Sequence, residues 1–345
     1  MTSPSRVWIF LLGAAFLFAH LAGGARADYL VSETGSFYVG GRTVTLNGLP
    51  KREVISTAGI PPFIVDPNGQ FEVEQMYVQF VRLANPKARY PLLLWHGGGL
   101  TGVTYETKPD GKPGWQQFFL DHGHDVYVSD AVERGRASWA RFPEIFKSEP
   151  FFRTEKEAWE LFRIGPTWDA DPAKRVAFPG VQFPVDAFDQ FAKESVPRWT
   201  TNDAATQSAY DALVEKTCPC VIVVHSQGGN FAFTAALHNP SKIKAIVAVE
   251  TSGAPLASAD LAPLKDIPFL FVWGDNQDSQ PYWKVVRANI DRFANQLKTA
   301  GARVDVLDLP AEGVKGNTHM LMMDKNSDDV AARIQAWMGE RGLMK

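Results

Sequence analysis

The chain has 345 residues, 45% of them hydrophobic and 21% charged, with a formal net charge of −3 and a sequence pI near 6.2. That length accommodates one large domain or two ordinary ones, and the composition is that of a globular protein. The charge balance, with no basic run anywhere, excludes the electrostatic footprint of a nucleic-acid-binding protein.

The N-terminus reads as a targeting segment. Arg6 precedes an almost uninterrupted apolar run from Val7 to Ala22, and Ala25-Arg26-Ala27 follows as a small-x-small cleavage site. This layout predicts a secretory signal peptide over residues 1–27, with Asp28 as the first mature residue and no stable membrane anchor after cleavage. Export to the periplasm or the medium implies an oxidising setting. The two cysteines, Cys218 and Cys220, flank a single proline. They are too few to ligate a metal and lack the Cys-x-x-Cys spacing of a redox site, so a structural role is expected, bridged or free.

From residue 28 to about 63, short β-like segments are punctuated by Gly35, Gly40-Gly41 and Asn47-Gly48. Phe71 to Leu83 alternates and predicts an edge or antiparallel strand. Pro91 to Trp95 is a continuous apolar run, the pattern of a buried parallel strand. Strands are then predicted over Asp125 to Asp130, Val221 to Val224, Ile243 to Val249, Pro268 to Trp273 and Val304 to Leu307. Helices are predicted over Gln227 to His238, Trp283 to Ala300 and Asp328 to Gly339. Strands alternating with helices make an α/β fold with a mostly parallel central sheet flanked by helices. About residues 131–216 exceed any simple crossover and predict an inserted, mainly helical cap on a single domain spanning residues 28–345. Its aromatics, Trp159, Phe162, Phe183 and Trp199, are candidates to shape a substrate pocket, Trp159 and Phe162 foremost.

Two motifs carry chemistry. Val224-His225-Ser226-Gln227-Gly228-Gly229 follows a buried strand and opens a helix, the context of a nucleophile elbow with Ser226 at its tip. The N–H of Gln227 then lies at a helix N-terminus, aimed at a developing oxyanion. Gly-x-Ser-x-Gly is the usual pattern, and Val224 departs from it at the first glycine. His96-Gly97-Gly98-Gly99-Leu100-Thr101-Gly102 also ends a buried strand. Hydrolases of the α/β-hydrolase fold use such a loop to donate a second N–H to the oxyanion hole. It lacks the lysine and hydroxyl residue of a phosphate loop.

A serine nucleophile needs a base and an acid. Of the seven histidines, His319 in Gly316-Asn317-Thr318-His319-Met320 lies after the last strand, where the chain order nucleophile, acid, histidine places the base. Glu250, ending one strand, and Asp275, following the next, are both candidate acids.

These residues identify a resemblance. The chain is similar to a small group of secreted bacterial esterases of the Alcaligenes type, within the α/β-hydrolase superfamily. The similarity runs through Gly35-Ser36-Phe37-Tyr38-Val39-Gly40-Gly41, His96 to Gly102, Gly135-Arg136-Ala137-Ser138, Ala158 to Pro166, His225-Ser226-Gln227, Val249-Glu250 and Gly313 to Met320. It implies a Ser-His-Glu triad of Ser226, His319 and Glu250, with Asp275 as the alternative acid, and an oxyanion hole from the N–H groups of Gln227 and Gly98. The family carries two adjacent cysteines where this chain has Gly98 and Gly99.

The expected activity is hydrolysis of a small-molecule carboxylic ester through an acyl-enzyme, with no metal or organic cofactor. Amide or lactone hydrolysis uses the same machinery. A catalytically inactive binding protein of hydrolase fold is the reading from another class, and Val224 is the feature in its favour. Haloalkane and epoxide chemistry is disfavoured, because it needs Asp where Ser226 stands. Nothing in the chain fixes the oligomeric state, and a homodimer is compatible with it.

Overall fold

The computed structural model describes residues 29–255 and 258–345. The signal peptide expected over residues 1–27 lies outside them.

Two long strands open the chain. β1 (Val31–Leu46) pairs antiparallel with β4 (Gly69–Leu83) over nearly its whole length, and a small hairpin of β2 (Arg52–Val54) and β3 (Phe63–Val65) lies between them in sequence. The expectation of several short segments before residue 63 therefore gives way to one continuous strand. Gly40 and Gly41, which read as turn signals, sit inside it at positive φ. At Gly40 a side chain would reach within 2.9 Å of Ala209, so the glycine marks the close approach of a helix to the sheet.

The remaining strands are β5 (Leu92–Trp95), β6 (Val126–Asp130), β7 (Cys220–His225), β8 (Ile243–Val249), β9 (Phe269–Trp273) and β10 (Val304–Asp308). They complete an eight-stranded sheet in the order β1-β4-β6-β5-β7-β8-β9-β10. Every pairing from β6 to β10 is parallel, and only β4 runs against its neighbours. β4 is thus the antiparallel strand that its alternation predicts, but β1 takes the edge. β5 to β9 are buried along almost their whole length, which is why they read as unbroken apolar runs rather than alternating ones.

Helices cover both faces. α1 (Val103–Glu106) and α2 (Trp115–Asp121) follow β5; α3 (Glu155–Leu161), α4 (Phe188–Ala192) and α5 (Asp203–Thr217) lie between β6 and β7. α6 (Gly228–His238), α7 (Pro281–Thr299) and α8 (Ser327–Glu340) complete the set. Two large cores result. One holds Trp95, Ile222, Phe233, Phe271 and Trp283, and the other Leu94, Trp115, Val223, Met320 and Trp337, on opposite sides of the sheet.

The interval 131–216 resolves into two parts. α5 packs against β1, β4 and α6 and is a helix of the layer on the sheet. The remainder, about residues 131–202, carries only short helical pieces between irregular segments. Its aromatic rings join the core on one side of the sheet: Phe183 packs edge to face with Phe188 and Phe191, Phe188 packs edge to face with Trp159, and Phe188 and Phe191 lie tilted against each other. Cys218 and Cys220, the first residue of β7, are joined by a disulfide.

Candidate active site

All the chemistry-bearing residues meet at the C-terminal ends of β5, β7, β8 and β9, the edge where α/β sheets carry ligands. Ser226 is the first of the two residues between β7 and α6, at φ +52°. A non-glycine residue in the left-handed region is strained, and the surrounding hydrogen bonds hold it there. Its N–H donates to the Val249 carbonyl at 3.1 Å, and its own carbonyl accepts from Gly229 and Ser252. The corner turns the side chain out of the buried strand, so Ser226 is partly exposed directly after the wholly buried His225.

Val224 fits this elbow because Gly228 has no side chain. A Cβ at Gly228 would stand 2.7 Å from Val224 Cγ2 and 2.7 Å from the His96 carbonyl. Gly97 is fixed in the same way, since a Cβ there would meet Ser226 Cβ at 2.9 Å. The glycines of the 96–102 loop therefore let its backbone lie directly on the serine. The N–H groups of Gln227 and Gly98 have no hydrogen-bond partner among the described residues. Gln227 stands at the N-terminus of α6, where unpaired N–H groups favour negative charge.

His319 Nε2 lies 3.0 Å from Ser226 Oγ, and its Nδ1 lies 3.2 Å from Glu250 Oε2. A carboxylate can only accept, so Nδ1 carries the proton and Nε2 is left to accept from the serine hydroxyl. Burial, reinforced by the positive charges of Arg163 and Arg153, holds the imidazole well below its usual pKa. The ring is therefore neutral at pH 7, which is the form a base requires.

Several groups fix His319 in place. Its N–H donates to the Phe162 carbonyl, and its carbonyl accepts from His225 Nε2 at 2.9 Å. The Trp283 ring lies 4.3 Å from the imidazole, centroid to centroid, and Phe162 lies 5.3 Å away. Behind the loop, the buried Asp324 accepts from Thr318 N–H, Thr318 Oγ1 and Asn317 Nδ2, all within 2.9 Å. Burial outweighs those donors and lifts its carboxyl to about 7.

Glu250 is fully buried at the end of β8, at φ +50°. Its Oε1 accepts from Arg163 Nη2 at 2.7 Å, Gly274 N–H at 2.5 Å and Gln277 Nε2 at 3.0 Å. That leaves Oε2 for the histidine. Asp275 takes no part in this line: its carboxylate accepts from the N–H groups of Asn276 and Gly316, and its N–H donates to Asn317. It is a turn residue that ties β9 to the loop bearing His319, so the structure brings Glu250, and not Asp275, to the imidazole.

Of the two aromatic pocket candidates, Phe162 touches His319, whereas Trp159 is wholly buried against Phe188 and the Arg175 guanidinium. Trp159 is part of the aromatic cluster of residues 131–202. Arg163, His225, Trp283, Gln277 and Asp324 were not singled out as site residues. His225 and Arg163 lie in segments that the sequence does mark, but what each of the five contacts is visible only in the fold.

This chain is similar to known proteins in both sequence and fold. A family model described as the α/β-hydrolase fold matches residues 219–331. The structure of a bacterial esterase superposes with a TM-score of 0.77 at 35% identity, over 91% of this chain and 98% of that one. A protein of Fungal sp. (strain ATCC 74256) named "Probable secreted lipase phiG" is 28% identical over 337 residues, 78% of this chain and 87% of that one. With Ser226, His319 and Glu250 aligned at the sheet edge, and with that identity and coverage to a bacterial esterase, the chain belongs to the α/β-hydrolase superfamily, in its esterase group.

Proposed function

We propose that the protein is an exported serine esterase that hydrolyses carboxylic esters with Ser226 as nucleophile, His319 as base and Glu250 as the acid that orients it. The observation that carries this reading is the line Ser226 Oγ to His319 Nε2 at 3.0 Å and His319 Nδ1 to Glu250 Oε2 at 3.2 Å, with the serine held on a strained corner. The names of the bacterial and fungal relatives support ester chemistry over amide cleavage.

His319 Nε2 takes the Ser226 proton as Oγ bonds to the ester carbonyl carbon. The oxygen that becomes negative accepts from the N–H groups of Gln227 and Gly98. As the tetrahedral intermediate collapses, the bond to the alcohol oxygen breaks and His319 gives that oxygen its proton. Water then attacks the acyl-serine, losing its proton to His319, and the acid leaves as Ser226 recovers its hydrogen. Glu250 keeps the imidazole in the Nδ1–H form and balances the imidazolium charge.

Export is supported by the signal-like segment 1–27, by the disulfide Cys218–Cys220 and by the word "secreted" in the fungal relative's name. Among the described residues, no helix is long and apolar enough to cross a membrane. Residues 131–202 are read as the cap over the site, with Phe162 as the residue it contributes beside His319.

Labelling with a fluorophosphonate, with mass mapping of the adduct, tests the assignment. A Ser226 adduct that disappears in Ser226→Ala, together with turnover of simple esters, is the expected result. A folded sample that is neither labelled nor active on any ester or amide overturns the reading and favours a binding protein of hydrolase fold.

A further inference from the structure

Two arginines flank the 96–102 loop, and the mechanism above uses neither. Residues 151 and 198 form an antiparallel bridge, with Phe151 N–H donating to Arg198 and Arg198 N–H donating back. Arg198 lies opposite Phe151, and Arg153 lies two residues further along, so both side chains leave the same side of this short ribbon. Val196 N–H donates to the Gly99 carbonyl and fastens the ribbon to the loop.

The Arg198 guanidinium occupies the space that a side chain at Gly98 would need. A Cβ there would stand 3.0 Å from Arg198 Nη1 and 2.8 Å from Gln227 Oε1. Gly98 and Gln227 are the two residues assigned to the oxyanion hole, so Arg198 stands at the mouth of the reaction site. Among the described residues no carboxylate pairs with it, and its buried Nε has no acceptor. Arg153 lies across the loop, with Nε 4.0 Å from the Cβ position of Gly99 and its guanidinium 5.0 Å from the centre of the Phe162 ring. Its side chain is 11% exposed and pairs outward with Glu157 at 2.8 Å, while Nε is buried without a partner.

Two guanidiniums thus lie beside the Gly98-Gly99 turn, and only Arg153 has a carboxylate partner. Their repulsion adds to burial in lowering the pKa of Arg153. Glu194, four residues before Arg198, does not offset them, because burial pushes its carboxyl up to about 8. Half-buried guanidiniums next to a nucleophile, one without a carboxylate and both with an Nε that has no acceptor, are what an anionic ligand group satisfies.

We propose that Arg153 and Arg198 form a carboxylate-binding subsite, and that the esters this protein turns over carry a free carboxylate in their acyl or alcohol part. The inference rests on Ser226 being the nucleophile.

The test compares kcat/KM on matched esters that differ in one charge. For the acyl side these are 4-nitrophenyl hemisuccinate and its methyl-capped diester; for the alcohol side, the butyryl esters of glycolate and of methyl glycolate. The charged member of at least one pair should be preferred by about tenfold or more, roughly the value of one charge-assisted pair. That preference should shrink with added salt in the unmodified protein. It should fall toward one in Arg198→Met and in Arg153→Met, and be partly retained in Arg198→Lys. A ratio near one in both pairs overturns the proposal. So does an equal loss on charged and neutral esters in the methionine variants, which would make the arginines general supports of the oxyanion.

If nothing is hydrolysed and Ser226 is not labelled, the functional reading fails. The subsite is then tested alone, by whether monomethyl succinate raises the Tm of Ser226→Ala and fails to do so once Arg198→Met is added. No shift in Ser226→Ala counts against the subsite.

Discussion

Arg163 and Glu250 meet at 2.7 Å with both side chains wholly buried, and among the described residues the arginine is the only cation paired with a carboxylate that also accepts from the neutral His319. It approaches Oε1 while its Nε donates to the Asp275 carbonyl, and its guanidinium lies 4.7 Å from the centre of the Trp283 ring. One residue therefore joins the acid, the turn after β9 and the ring beneath the imidazole. Arg163→Met leaves a buried carboxylate without its partner, for which a cost of about 3–5 kcal/mol is typical. The expected outcome is a lower urea midpoint and a loss of kcat larger than any change in KM. Unchanged values of both would show that Gly274 and Gln277 suffice to hold Glu250.

The pH profile should follow the neutral imidazole. His319 is held well below its usual pKa, so the base stays unprotonated and kcat/KM should remain flat as pH falls through 6.5, dropping only at lower pH. An acid limb centred at 6.5 or above would contradict the buried geometry. Stability should move in the same direction. Burial holds His96 and His124 down at about 4, so the unfolded chain takes up protons first as pH falls. Their contribution to stability is complete above about 6.5 and is lost as pH falls from there to about 4. His124→Gln should flatten the pH dependence of the urea midpoint across that window.

At the elbow, Gly228→Ala should reduce both stability and kcat, because its Cβ would press on Val224 Cγ2 and the His96 carbonyl. A loss of about 1–3 kcal/mol is the usual scale for such overpacking. Val224→Ala added to it relieves one contact and leaves the other. The pair should therefore be less damaging than the sum of the single changes, with an interaction energy measurable in a double-mutant cycle. Strict additivity would mean that the two side chains do not compete for that space.

Asp324 should act as a positioning residue. Asp324→Ala removes three acceptor bonds from the Asn317-Thr318 turn that precedes His319. Fluorophosphonate labelling of Ser226 should slow by about tenfold or more while the far-ultraviolet circular dichroism stays unchanged. Asp324→Asn, which keeps an acceptor and a similar shape, should recover part of the rate. Equal rates in all three proteins would remove the residue from the site.

Much of this protein is legible without coordinates. The apolar runs at 92–95, 221–224 and 243–249 announce buried parallel strands because each is covered on both faces, and each strand ends where a glycine-rich or polar motif begins. Ser226 and His319 follow from motif and chain order. Val224 read as a departure from the glycine pattern, yet Gly228 on the next turn receives it, a compensation visible only as a contact. Gly40 and Gly41 misled for the reverse reason: glycine in a sequence suggests a turn, but here the missing side chains make room for Ala209 at Gly40 and for the paired strand at Gly41.

The tertiary structure decided the matters that depend on which distant groups converge. Glu250 and Asp275 each end a strand and are equivalent in the sequence read by itself; the sheet order and the 313–320 loop bring one to the imidazole and turn the other into a loop tie. Arg163 and Arg198 carry no local signature, and their importance lies in what surrounds them. Periodicity and turn chemistry are properties of neighbours along the chain, so the sequence determined the layered α/β architecture and pointed to the serine and the histidine that the fold brings together. The acid, the second oxyanion residue's surroundings and the unpaired cations beside it depend on contacts across tens to hundreds of residues, where burial removes water and makes each partner count.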